Sequence, residues 1–272
     1  MAAVDRIVTQ WFAEHRRDLP WRDSDPWGVY VSEIMLQQTP VSRVLPAWRS
    51  WMQRWPTPKA LADDSVGEAI RAWGRLGYPR RAKRMHEAAV AMRDRFGGAV
   101  PADEHLLRDL PGVGEYTAAA VAAFAYGRPC VVVDVNVRRF LSRALTARDP
   151  ATSYSAAERA LAEEVFASLE VPAPLWAAAS MEFGALVCTS RAPQCGQCPL
   201  ADQCDWVPGP QLTRTQTYDG TDRQARGAVL AVLRNGPADG FDWHDGAQLQ
   251  RALDGLLADG LIVRADRWQL PT

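Results

Sequence analysis

The chain has 272 residues, 47% apolar, 23% charged and 9% aromatic, with 31 basic against 32 acidic side chains and 5 cysteines. That balance excludes a disordered, collagen-like or disulfide-scaffold chain, because apolar content is high, glycine and proline show no period and cysteine is sparse. No apolar run approaches the roughly 20 residues a membrane span needs, and Asp5 interrupts any signal-peptide core, so the sequence predicts one or two domains in the cytoplasm without a membrane partner.

Val4, Ile7, Val8, Trp11 and Phe12 form one stripe of an amphipathic helix that ends near Arg17. Glu33 lies in Val29-Tyr-Val-Ser-Glu-Ile-Met-Leu-Gln-Gln-Thr39; on a helix its face neighbours are Val29, Tyr30, Leu36 and Gln37, a poor match for a solvated face. Trp48, Trp51 and Trp55 recur at helical spacing, as core residues do, and Pro56-Thr-Pro58 stops that helix. Further helices are predicted over 65–76, 80–96, 103–110, 116–126, 136–146, 155–169 and 175–186, whereas Cys130-Val-Val-Val133 is too short a β-like run to make a sheet. The fold class is therefore all-α over residues 1–206. Residues 207–221 are polar and punctuated, as linkers are. In 222–272 a helix with Val229, Leu230, Val232 and Leu233, a second with Leu249, Leu253, Leu256 and Leu257, and strand candidates at 261–263 and 267–270 outline a small winged-helix-like module. At about 50 residues it is marginal alone and is expected to pack on the first domain.

The net charge of −1 is unevenly distributed: Arg43 to Arg95 holds twelve basic against five acidic side chains, a local excess suited to a phosphate backbone. Cys188, Cys195, Cys198 and Cys204 follow C-x6-C-x2-C-x5-C. In a reducing compartment such a cluster points to metal rather than disulfide. Zinc remains an alternative, but the single Cys-x2-Cys knuckle and unequal loops favour a [4Fe-4S] cluster; Cys130, in an apolar run, reads as a core thiol. Leu110-Pro-Gly-Val-Gly114 joins two helices. Its glycines, Gly112 and Gly114, allow a tight turn that presents backbone N–H groups at a helix N-terminus to a phosphate oxygen, although a plain helix-helix turn would look the same. Burial of Glu33 would raise its pKa and keep a proton available. Asp134 can cap the helix that follows it, and the same helix N–H groups would hold it ionised. A protonated Glu and an ionised Asp divide the labour of donating a proton and stabilising a cation.

The cysteine spacing, the Leu110–Gly114 hairpin (with Val113 at its fourth position) and Asp134 together resemble the helix-hairpin-helix DNA glycosylases related to endonuclease III. Ser32-Glu-Ile-Met-Leu-Gln-Gln-Thr39, Leu76-Gly-Tyr78 and Asp134-Val-Asn-Val-Arg-Arg139 look like the adenine DNA glycosylase family within them, the match running from about Leu19-Pro-Trp-Arg22 to Cys204. The resemblance implies two helical subdomains, an iron-sulfur loop at 188–204 and a flipped adenine in a cleft. It also implies a monomer acting on mispaired double-stranded DNA at the nucleoid of a bacterial cytoplasm. It assigns Glu33 as the acid that protonates the departing adenine, Asp134 as the stabiliser of the oxocarbenium-like sugar and Asn136 as their orienting partner. Tyr116 matches a position that carries a Schiff-base lysine in bifunctional relatives, which implies a monofunctional enzyme. Arg22 is placed near the adenine; Gln38, Thr39, Leu76 and Tyr78 are placed in the base stack and against 8-oxoguanine. Glu182 fits a family pattern, with packing as its simpler reading. Departures are Arg75-Leu-Gly-Tyr-Pro79 in place of Gly-Leu-Gly-Tyr-Tyr, Ala178 where a polar residue often faces the adenine, and a short C-terminal region in place of a Nudix-like domain. The rivals are a same-fold glycosylase for thymine or another base, decided near Arg22, Leu36 and Ala178, and an iron-sulfur DNA-binding regulator, which has no need of the Glu33 and Asp134 pair.

Overall fold

The computed structural model describes residues 4–209 and 217–272, so part of the expected linker, 210–216, lies outside the described residues. In chain order the helices are α1 (Val4–His15), α2 (Pro26–Leu36), α3 (Val41–Arg54), α4 (Pro58–Ala62), α5 (Val66–Trp73), α6 (Arg80–Arg95) and α7 (Glu104–Arg108). They continue as α8 (Glu115–Tyr126), α9 (Val135–Thr146), α10 (Ala156–Ala167), α11 (Ala173–Leu186), α12 (Asp222–Leu233) and α13 (Gly246–Ala258), followed by strands β1 (Val263–Arg264) and β2 (Trp268–Gln269). The fold is mostly helical, with little sheet, and among the described residues no helix is long and apolar enough to cross a membrane.

Local chemistry explains the boundaries. Ser65 caps α5 by accepting from the Glu68 N–H, and Ser155 with Glu158 closes a reciprocal capping box on α10. Pro56-Thr-Pro58 does stop α3, but it also starts α4: Thr57 accepts from the Ala60 N–H, and Pro58 occupies the first turn, where its missing N–H costs nothing. That short helix is absent from the sequence reading.

The chain divides into two compact units, each discontinuous in sequence. The first comprises the described residues of Met1–Pro26, Ala102–His105 and Gly114–Leu212. Its core gathers Val8, Phe12, Phe140, Trp176 and Phe183, with Phe140 edge-on to Phe183 at 5.0 Å. The second comprises Trp27–Pro101, Leu106–Val113 and the described residues of Thr213–Thr272. There Trp51 packs edge-on against both Trp55 and Trp73, confirming the tryptophans as core; Trp27 and Trp48 donate to the Trp55 and Gly28 carbonyls.

The C-terminal elements run helix, helix, hairpin, with β1 and β2 antiparallel and Ala238 bridging to Trp268. They belong to the second unit through reciprocal arginine contacts: Arg71 donates to the Leu233 and Arg234 carbonyls at the end of α12, and Arg234 donates to the Ile70 carbonyl in α5. Arg80 pairs with Asp259 at 3.2 Å, and Gly67 lies against Pro271 so closely that a Cβ would clash with the Pro271 carbonyl.

Candidate functional site

In the first unit Asp134 is the N-cap of α9. Its carboxylate accepts from the Asn136 N–H at 2.8 Å, the Val137 N–H at 2.7 Å and the Asn136 side-chain amide at 2.6 Å. Burial pushes this carboxyl up, and these donors, with Arg139, pull it down; burial wins, so its pKa stands above the ordinary aspartate value. The N-cap role is the one expected from sequence. Arg139 fixes the surroundings: it donates to the Asn136 side-chain oxygen at 2.8 Å, to the Gly184 carbonyl at 2.6 Å and to the Cys188 carbonyl at 2.7 Å. Asn136 is thereby clamped between Asp134 and Arg139. Gly184 of α11 permits the close approach, because a Cβ there would lie 2.5 Å from the Asn136 carbonyl oxygen. Tyr116, half-buried in the first turn of α8, packs beside Ala119, Ala120 and Ala177 in the same unit.

Arg22 also belongs to this unit. It donates to Glu182 at 2.9 Å and its guanidinium lies over the Phe12 ring at 5.0 Å. Glu182 takes three further hydrogen bonds from Arg17, two from the side chain and one from the backbone. Burial pushes Glu182 up, and the Arg17 and Arg22 contacts more than reverse that, leaving its pKa below the ordinary glutamate value. Glu182 thus positions Arg22, a stronger role than helical packing. Arg22 Nε is buried without a hydrogen-bond acceptor among the described residues.

The second unit carries Glu33, buried on α2, a helix whose residues from Trp27 to Met35 are all buried. It also carries the four residues expected to probe the stack. Gln38 (φ 52°) and Tyr78 (φ 48°) are exposed and left-handed, and Gly77 between Leu76 and Tyr78 has φ 85°. Thr39 is buried, its hydroxyl placed 3.2 Å from the Gln37 carbonyl and 3.3 Å from the Leu76 carbonyl. Two chain segments remote in sequence are thereby joined. Arg81, which the sequence reading counted only within the basic stretch, holds the same two segments. That basic stretch is less of an open positive surface than its count implied, since Arg54, Lys59, Arg71, Lys83 and Arg93 are paired with carboxylates within it.

The hairpin turns through Gly112 at φ 79°, closed by the Val113 N–H on the Leu110 carbonyl at 3.1 Å, with Leu110 and Val113 buried and Gly112 exposed. A Cβ on Gly112 would press on the Arg84 side chain at 2.9 Å. Gly114 is the N-cap of α8 and, having no side chain, makes no side-chain cap hydrogen bond.

All four clustered cysteines line one cavity of the first unit, together with Phe140, Arg143, Pro193 and Trp206. Arg143 reaches Cys188 Sγ at 4.0 Å and stacks on Trp206 at 3.9 Å, placing a cation beside the thiols. Among the described residues no three His, Cys, Asp or Glu side chains converge on a point, as ligands of a single ion do. Four thiols bordering one cavity are a donor set that fits an iron-sulfur group. Cys130 lies in another region, partly buried beside Ala119, Ala120 and Val132.

The family model for the HhH-GPD superfamily base excision DNA repair protein matches residues 31–165, and that for the iron-sulfur binding domain of endonuclease III matches residues 188–204. The chain is 48% identical to the adenine DNA glycosylase of Mycolicibacterium smegmatis over 94% of this chain and 91% of that one. It is 46% identical to the adenine DNA glycosylase of Mycobacterium tuberculosis strain H37Rv, over 98% and 93%. Among solved structures, a thermostable thymine-DNA glycosylase superposes with a TM-score of 0.66 at 25% identity, over 74% of this chain and 94% of that one.

Proposed function

Because the chain belongs to the adenine DNA glycosylase family within the HhH-GPD superfamily, and is a base excision repair glycosylase carrying an iron-sulfur domain, we propose that it hydrolyses the N-glycosidic bond of adenine mispaired with 8-oxoguanine. The observation that carries the reading is the Asp134 constellation: a largely desolvated carboxylate held by three donors and steered by Asn136, ready to stabilise positive charge on a sugar. Glu33, buried on its helix, supplies the proton to the departing base. Arg22, oriented by Glu182 and with its Nε unused, recognises an acceptor edge of the flipped base. Gln38, Thr39, Leu76 and Tyr78 fill the stack and contact the opposite base, and the Leu110–Gly114 hairpin grips a phosphate.

The enzyme is monofunctional. Schiff-base strand cleavage needs an amine; Tyr116 provides none, and the chain's two lysines, Lys59 and Lys83, are both held in ion pairs with carboxylates one turn away. Cys188, Cys195, Cys198 and Cys204 hold one [4Fe-4S] cluster, which when bound cross-links the 188–204 loop. The protein works as a monomer on mispaired duplex DNA in the bacterial cytoplasm, at the nucleoid. Residues 1–206 are its catalytic domain, with 222–272 a winged-helix-like module.

The test is base release from duplexes carrying 8-oxoguanine:adenine, guanine:adenine and guanine:thymine. Release of adenine, fastest opposite 8-oxoguanine, with strand breakage only after alkali, is the expected result. Thymine release would favour the second reading, which has the superposition on a thymine-DNA glycosylase behind it; breakage without alkali would contradict the monofunctional assignment.

A further inference from the structure

Arg81 is buried near the start of α6, with no carboxylate paired to it among the described residues. Its Nη1 donates to the carbonyls of Ile34 at 2.9 Å, Met35 at 3.0 Å and Gln37 at 2.7 Å. Its Nη2 donates to the Thr39 hydroxyl oxygen at 2.9 Å, the Gly77 carbonyl at 3.1 Å and the Leu76 carbonyl at 3.4 Å. The guanidinium also lies over the rings of Trp73 at 5.1 Å and Tyr78 at 5.5 Å.

Three of those acceptors are the last carbonyls of α2 and its exit, which have no helical N–H to bond and stand at the negative end of the helix dipole. They compensate the buried cation in place of a carboxylate. Of the others, the Thr39 hydroxyl lies just beyond that exit, and the Leu76 and Gly77 carbonyls belong to the Leu76–Tyr78 turn. A planar fork of donors can serve two such rows of acceptors at once, which an ammonium cannot. The arrangement also bears on strain: Gln38, Gly77 and Tyr78 occupy the left-handed region, which for the two non-glycine residues costs on the order of 1–3 kcal/mol each and persists only where the surroundings enforce it. Arg81 bonds to residues on both sides of Gln38 and to the two residues before Tyr78.

We propose that Arg81 is a positioning residue that holds the Gln37–Thr39 and Leu76–Tyr78 segments in register with one another and with the end of the helix that carries Glu33, so that both probe the DNA stack together. This rests on reading Gln38, Thr39, Leu76 and Tyr78 as DNA contacts. Arg81 itself need not touch DNA.

The test compares Arg81→Lys, Thr39→Val, Leu76→Ala and Tyr78→Ala in the full chain. Adenine release is measured in single turnover, with affinity for an undamaged duplex, fluorescence of a 2-aminopurine beside the mispair, and thermal unfolding. Arg81→Lys is expected to remain folded below its lowered Tm and to bind undamaged duplex within a few-fold. It should slow adenine release by roughly 10- to 100-fold and lose the fluorescence rise that reports unstacking. Leu76→Ala and Tyr78→Ala should lose the same rise, and Thr39→Val, which removes only one shared hydroxyl, should lose part of it, so the proposal stays testable if Arg81→Lys does not fold. A lowered Tm with rate and fluorescence unchanged in Arg81→Lys, or unchanged rate and fluorescence in Thr39→Val if Arg81→Lys does not fold, would show Arg81 to be merely structural. Wild-type behaviour of both Leu76→Ala and Tyr78→Ala would instead remove the DNA-contact reading, and this proposal with it.

Discussion

Two carboxylates of the first unit, Asp134 half-buried and Glu182 buried, respond in opposite directions to their surroundings, and the difference predicts different pH behaviour. Asp134 is shifted up by burial, so the native state binds its proton more tightly than the unfolded chain does; that contribution is complete at low pH and is lost as pH rises through the native pKa. Asn caps a helix about as well as Asp. Asp134→Asn is therefore expected to be at least as stable as the parent at pH 7, by thermal unfolding, with the advantage shrinking toward pH about 4, while adenine release slows by about 100-fold or more. Glu182 is shifted down by Arg17 and Arg22 despite burial, so its contribution is present above the ordinary glutamate range and is lost as pH falls through the native pKa. Glu182→Gln should cost about 2–4 kcal/mol at neutral pH by leaving two arginines without a counter-charge, and the gap in Tm should narrow in acid. Asp134 was legible in sequence, because a cap and its donors lie within three residues. The Glu182 partnership was not, since Arg17 is 165 positions away and nothing local marks the pair.

At the scale of elements, periodicity located nearly every long helix: the predicted 80–96 and 116–126 are α6 and α8 to within a residue. What periodicity does not carry is close approach between helices. Gly184 reads as an ordinary helical glycine, yet it is the contact that lets α11 pack on the start of α9 beside Asp134. Gly184→Ala should cost about 1–3 kcal/mol by overpacking and should slow adenine release more than that loss explains, because the displaced backbone belongs to Asn136. Thermal unfolding and single-turnover rates on the folded protein separate the two effects. The role of Arg81 is not legible in sequence for a related reason: a cation whose partners are carbonyls leaves no charge pattern to read.

For the whole molecule, the unit that carries Glu33 is completed by the C-terminal elements, which dock on α5 and α6 through Arg71, Arg234 and the Arg80–Asp259 pair. The sequence outline of 222–272 was readable from its apolar pattern; its mode of attachment was not, because arginine bonds to backbone carbonyls and the close approach at Gly67 leave no local pattern. Gly67→Ala should lower Tm and expose the 222–272 segment to protease, with little effect if the segment were only tethered. The central claim is that Glu33 donates the proton that lets the base depart. Its most direct test is single-turnover adenine release by Glu33→Gln on an 8-oxoguanine:adenine duplex, with duplex affinity measured in parallel. Affinity within a few-fold of the parent and release slowed by roughly 10²- to 10⁴-fold are expected; release at the parental rate would rule out proton donation by Glu33.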